Sequence, residues 1–237
     1  MSEGIIMNLH GKKIAVTGAF GSLGTAVALA ARGAGADVAC IDFASTAKAP
    51  AALSECLLLG GVDVGVPDSA AAAINAAAEQ LGGLDGLVNV AGAFRWETLE
   101  GGNTATWDLL YNVNVRTAVN ASRAALALLK QRGNGRIINI GAAGAIKAAL
   151  GLGAYAASKA GVAKLTEALA DELKETDITV NAVLPSIIDT AANRADMPNA
   201  DFTRWVKAEQ IADLILFLLS DRASAITGAL IPITGRV

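Results

Sequence analysis

The sequence has one histidine, two cysteines, two tyrosines and five prolines in 237 residues, and its Lys and Arg residues are scattered rather than clustered. Each scarcity excludes a class of function. His10 stands alone, with no His/Cys/carboxylate cluster around it, so no metal site is expected. Cys40 and Cys56 lie in apolar runs and read as small buried strand residues, not a disulfide or a nucleophile, which suits a reducing cytoplasm. A net charge of -3 with only 17% charged residues provides no basic field for nucleic acid and leaves a small, neutral or anionic metabolite as the better partner. No basic segment precedes an apolar one at the start, so no signal peptide is expected. Residues 1–8 read as a short flexible lead, with Met7 an alternative start. The longest uncharged run, residues 14–31, is broken by three glycines and three hydroxyl residues and fits a strand, turn and helix better than a membrane span.

Apolar residues are abundant, at 53% of the chain, and their arrangement predicts the fold. Short β-rich runs (KIAVT, DVACID, LLLGGVDV, LDGLVNV, GRIINI, ITVNAVL and ALIPIT) alternate with longer Ala/Leu-rich segments at 22–32, 68–81, 104–131, 155–175 and 208–220. Strands this apolar, without polar alternation, are covered on both faces, and helical crossovers between them imply a parallel sheet. The expectation is an α/β chain: one doubly wound, Rossmann-type domain with about seven parallel strands and helices on both faces. No Pro/Ser-rich linker or charge run divides it.

TGAFGSLG, residues 17–24, follows the first strand and opens the first helix. Glycines there allow a tight turn and let backbone N–H groups approach a pyrophosphate at the positive end of the helix. They fall at Gly18, Gly21 and Gly24; the commoner spacing would place the middle one at Ser22. Asp42 ends the second strand, where a carboxylate can accept both hydroxyls of an adenosine ribose and would repel a 2′-phosphate. With no Arg or Lys in the glycine loop or directly after Asp42, NAD(H) is expected over NADP(H). Asp63 and Val64 are placed beside the adenine, and the small residues of Asn89-Val90-Ala91-Gly92 allow backbone to pass close to a cofactor.

These motifs, together with Asn114 in YNVNV, YAASK at 155–159 and VNAVLPS at 180–186, resemble the short-chain dehydrogenase/reductase family over nearly the whole chain. The resemblance implies that Tyr155 is the proton donor or acceptor, that Lys159 lowers its pKa and holds the nicotinamide ribose, and that Asn114 maintains a water relay behind the lysine. The expected cofactor contacts are Gly18, Phe20, Gly21, Ser22, Leu23, Gly24, Asp42, Asp63, Val64, Asn89, Ala91, Gly92, Tyr155, Lys159, Pro185 and Ile188. A cation at i+4 on the same helix face favours a phenolate, in agreement with the tyrosine role. The resemblance also implies a homodimer or homotetramer, paired through the helices at 104–131 and 155–175.

One position departs from the family. The serine expected thirteen residues before the tyrosine, a donor to the substrate carbonyl, is Ala142, and no hydroxyl residue occurs from Ile138 through Ala154. Loss of such a donor costs roughly 2–4 kcal/mol of transition-state stabilisation. GAAGAIKAAL and residues 184–205 resemble the dihydropteridine reductases, which also lack this serine and use NADH on a conjugated quinonoid dihydropterin; the tail after Trp205 is similar to the broad family. Residues 186–207 are expected to form a flap over the substrate, with Asp189, Asn193, Arg194 and Trp205 either touching substrate or structural. Asn139 and Lys147 are the candidates for a replacement donor near Ala142, although core and solvent-facing roles respectively suit them better. The expected function is NAD(H)-dependent hydride transfer to a carbonyl or conjugated imine-like group. The alternative is a weakened NAD(H)-binding sensor or scaffold.

Overall fold

The computed structural model describes residues 7–237, so most of the expected lead falls outside the described residues. Met7 packs against the core, and Asn8 Oδ1 accepts a hydrogen bond from the His10 amide at 2.9 Å, so positions 7 and 8 belong to the packed fold.

Seven strands form one parallel sheet: β1 (Lys13–Thr17), β2 (Asp37–Asp42), β3 (Leu57–Gly60), β4 (Gly86–Asn89), β5 (Asn134–Ile140), β6 (Asp177–Pro185) and, at the far edge, β9 (Leu230–Ile233). The order across the sheet is β3-β2-β1-β4-β5-β6-β9. Burial along β1, β4, β5 and β6 explains their unbroken apolar runs, because helices cover both faces. One face carries α1 (Ser22–Gly33) and α7 (Ala208–Leu219) over Val16, Val88 and Ile138. The other carries α2 (Pro67–Leu81), α4 (Thr117–Arg132) and α5 (Gly153–Glu172) over Leu87, Ile137 and Val180. Start and stop chemistry is visible in α2, which opens on Pro67 and closes on Gly82 in the left-handed region at φ 77°.

Three segments differ from expectation in ways that shape the site. The helix at 104–131 is interrupted: α3 (Thr104–Leu110) passes through a π-helical segment, Tyr111–Arg116, before α4 begins. Composition carries no mark of a π turn, and such turns concentrate at functional sites. The strand expected from LLLGGVDV stops at Gly60, because Gly61 turns the chain at φ 76°, and Asp63 and Val64 stand in the loop beyond. Residues 186–207 are ordered as β7 (Ile188–Asp189), α6 (Ala191–Asp196) and β8 (Val206–Lys207), with β7 and β8 paired in parallel. Cys40 is buried in β2, whereas Cys56 is half-buried just before β3, and both are free thiols. Among the described residues, no helix is long and apolar enough to cross a membrane.

Candidate active site

The chain runs from β1 outward to β3, then crosses back to place β4 on the opposite side of β1. A doubly wound sheet leaves a crevice at the carboxyl ends of its strands where the order reverses. A cleft of about 770 Å³ lies there, lined by Gly18, Gly21, Ser22, Leu23, Gly24, Asp42, Asp63, Val64, Ala91, Gly92, Tyr155, Lys159 and Ile188, as the sequence leads one to expect. That volume lies in the range of small-molecule sites.

The glycine loop is tight enough to require its glycines. Gly18 has φ 65°, and a Cβ on it would stand 2.7 Å from the Ala91 Cα; one on Gly24 would stand 2.1 Å from the Gly18 carbonyl oxygen. Gly21 caps α1 without a side-chain hydrogen bond, and the first turn holds no acidic residue. The first amides of the helix are therefore left for an anion. Asp42 is fixed by two backbone donors: the Phe20 amide to Oδ2 at 2.9 Å and the Ala44 amide to Oδ1 at 2.8 Å. Each carboxylate oxygen keeps a second lone pair directed to other partners.

At the other end of the cleft, α5 presents Tyr155 and Lys159 one turn apart. Burial pushes the Tyr155 hydroxyl up to about 12 and the Lys159 ammonium down to about 8. The expected lowering of the tyrosine by its i+4 cation is thus not what the protein itself imposes, because desolvation outweighs the pair. Lys159 Nζ donates to the Ile140 carbonyl at 2.7 Å. Asn114, buried within the π segment, donates through Nδ2 to the Ala93 carbonyl at 3.0 Å and to Ser158 Oγ at 2.9 Å, and accepts the Ala93 amide at 2.9 Å. Ser158 Oγ in turn donates to the Tyr155 carbonyl at 2.7 Å, tying the loop after β4 to the tyrosine helix. A Cβ on Gly92 would stand 2.6 Å from Asn114 Oδ1 and 3.4 Å from Lys159 Nζ, so a side chain there would displace Asn114.

The other candidate residues are not in the lining of this cleft. Phe20 is half-buried and packs against the core, and its amide donates to Asp42. Pro185 is buried within β6. Asn89 is buried behind the cleft, donating to Ser122 Oγ at 3.0 Å and Asn139 Oδ1 at 2.9 Å. Asn139 spends its own amide on Thr166 at 2.9 Å and is no donor for Ala142; Lys147 is exposed. In the 186–207 segment, Arg194 forms a forked pair with Asp189 at 2.6 and 2.8 Å and lies over the Phe202 ring. Asn193 bonds the Ile188 carbonyl at 2.7 Å and Trp205 is buried, so these four polar and aromatic candidates hold the segment together. Sequence reasoning missed Phe43 and Phe94, both exposed and lining the cleft; the signal available was an aromatic directly after Asp42 and another two residues after Gly92.

A family model described as enoyl-(acyl carrier protein) reductase matches residues 18–235. The chain is 36% identical over 245 residues to a 3-oxoacyl-[acyl-carrier-protein] reductase of Pseudomonas aeruginosa, covering 97% of this chain and 98% of that protein. It is 32% identical over 246 residues to 2-(S)-hydroxypropyl-CoM dehydrogenase 3 of Xanthobacter autotrophicus, covering 96% of each. Among solved structures, a short chain dehydrogenase from Burkholderia cenocepacia in complex with NADP superposes with a TM-score of 0.88 at 35% identity, covering 96% of this chain and 98% of that one. A dehydrogenase/reductase from Sinorhizobium meliloti gives 0.86 at 32% identity, covering 98% and 96%.

Proposed function

Because the chain belongs to the short-chain dehydrogenase/reductase family, we propose that it is an NAD(H)-dependent oxidoreductase acting on a carbonyl/hydroxyl pair or a conjugated imine-like group, a quinonoid dihydropterin being one such compound. The observation that most supports this reading is that Tyr155 and Lys159 open onto the same cleft as Gly18, Gly24 and Asp42.

The residues fit a dinucleotide. Gly18 and Gly24 lie too close to neighbouring backbone for a Cβ, which keeps the loop tight; the uncapped start of α1 would receive the pyrophosphate, and Asp42 would take the adenosine ribose hydroxyls. Asp63, Val64 and the exposed Phe43, which line the same cleft, would flank the adenine, while Ala91, Gly92, Ile188 and Lys159 would take the nicotinamide half. When bound, the dinucleotide supplies the hydride in reduction and accepts it in oxidation. Tyr155, protonated at neutral pH and held more firmly so by burial, which raises its pKa to about 12, gives its proton to the substrate oxygen or nitrogen. Lys159, still mainly cationic at neutral pH, favours the phenolate left behind. Asn114 and Ser158 keep the tyrosine helix and the Ala93 backbone in register with each other.

The sign of the pH dependence follows from Lys159. Its charged form predominates below about 8 and is lost above, so kcat/KM for reduction should fall as pH rises through that value. A profile flat to pH 10 would remove Lys159 from this role.

Ala142, buried two residues beyond β5, favours a second reading: an NAD(H)-binding sensor or scaffold with weakened chemistry. NADH and NADPH oxidation assayed with quinonoid dihydropterin, simple ketones and a 3-oxoacyl thioester separates the two. Turnover of conjugated acceptors supports the enzyme. Ala142→Ser is then expected to raise kcat/KM on simple ketones by roughly tenfold or more, since a donor of this kind contributes up to about 10²–10³. Tight NADH binding without turnover of any acceptor supports the sensor.

Exposed Trp107, Leu109, Tyr111 and Val119 along α3, the π segment and α4 support association into a homodimer or homotetramer. The free thiols fit a cytoplasmic setting.

A further inference from the structure

We infer that Phe94 determines the specificity of this cleft and that the substrate it selects carries its reducible group on a flat aromatic or conjugated ring. The inference rests on the oxidoreductase reading above and names its substrate class.

Phe94 stands in the loop after β4, and its ring lies against that of Tyr155 with centroids 4.9 Å apart and planes at 80°. It lines the same cleft as Tyr155 and Lys159, yet 48% of it remains exposed. An aromatic surface is therefore open beside the proton donor. The polar side chains nearby are partly engaged: Asn114 by Ala93 and Ser158, Lys159 by the Ile140 carbonyl with its other donors left for the nicotinamide half, while Thr190 Oγ1 accepts the Asn193 amide and keeps its own proton. The family's usual carbonyl anchor is the methyl of Ala142. A substrate here gains orientation chiefly from contact with the Phe94 ring and from the Tyr155 hydroxyl.

The wall is also fixed in place. Trp96 Nε1 donates to the Leu150 carbonyl at 3.1 Å, and the Glu97 amide donates to the Gly151 carbonyl at 2.9 Å. The Trp96 indole lies so close over Gly151 that a Cβ there would stand 2.1 Å from its Cε2. The chain leaving Phe94 is thus clasped to the loop between β5 and α5. A rigid aromatic surface rewards a partner that needs little rearrangement, and ring pairs gain attraction beyond the area they bury. A saturated ring of the same size buries similar area without that term.

The test compares acetophenone with cyclohexyl methyl ketone on the protein–NAD⁺ complex, where a ketone binds without turnover, by ligand-observed NMR titration. Acetophenone should bind roughly two- to twelvefold more tightly to the wild-type complex. Phe94→Leu, which keeps apolar bulk, should bring the ratio close to one, whereas Phe94→Tyr should preserve it. A residue that only props Tyr155 would weaken both ketones equally. A wild-type ratio near one, an equal loss in Phe94→Leu, or no binding of either ketone overturns the inference. Failure of NAD⁺ itself to bind, measured in the same samples, would instead overturn the oxidoreductase reading.

Discussion

Tyr155→Phe is expected to lower kcat for NADH-dependent reduction by roughly 10²–10⁴-fold, the usual worth of a positioned proton donor, while NADH still binds. The substitution removes one oxygen and leaves the ring, so the contact with Phe94 at 4.9 Å and the backbone bond from Ser158 to the residue 155 carbonyl both persist. Gly18, Gly24 and Asp42, at the far end of the cleft, are untouched. The loss should therefore appear in kcat and not in cofactor affinity. NADH consumption at saturating acceptor, with a fluorescence titration of NADH on the same protein, measures both. A rate within tenfold of wild type would mean that protonation comes from solvent and that the tyrosine is not the acid.

The second large effect concerns cofactor choice. The wild-type protein should prefer NADH to NADPH by about 10²-fold, and Asp42→Asn should reduce that preference to about tenfold or less. Two unit negative charges about 4 Å apart repel by roughly 4 kcal/mol at an effective dielectric near 20, nearly 10³-fold in affinity. Asp42 is half-buried, and solvent screening brings the figure down. Asparagine is the informative substitution because the carboxylate also accepts the Phe20 and Ala44 amides. An amide keeps one of these bonds and turns an N–H toward the other donor. NADH affinity should consequently fall too, since the glycine loop is anchored to β2 through Phe20, and the ratio of the two cofactors is the quantity that reports the charge. A wild-type preference for NADPH, which carries the 2′-phosphate of the NADP bound in the Burkholderia cenocepacia structure, would show that this phosphate is accommodated despite Asp42.

Much of the cofactor half of the site was legible in the chain because its physics is local. A glycine is needed at Gly18 for a left-handed turn and at Gly24 for close packing within a few residues, and the helix that follows directly brings its own amides. Asp42 needs only to end the neighbouring strand. Tyr155 and Lys159 share a helix face by their spacing alone. The substrate half was less legible, because its decisive contacts join segments far apart in sequence. Asn114 turns inward through a π segment that composition does not announce, and its partners are Ala93 and Ser158. Spacing left Asp189, Asn193, Arg194 and Trp205 open between substrate contact and a structural role, and their partners within the segment give the structural one.

By itself, then, the sequence determined the alternation of buried strands with amphipathic helices, the parallel sheet, the glycine loop with its carboxylate, the tyrosine–lysine pair and the absent hydroxyl at Ala142. All but the last follow from residue spacing within one element or between chain neighbours; the hydroxyl missing at Ala142 is what the family resemblance implies. Only the tertiary structure shows how the pair is tuned, since burial raises Tyr155 and lowers Lys159 against the trend of their i,i+4 charge interaction. It also decided that Phe94 stands open beside the tyrosine while Phe20, Asn89 and Pro185 withdraw from the cleft. Desolvation and long-range packing depend on which distant segments meet, and no local spacing encodes that.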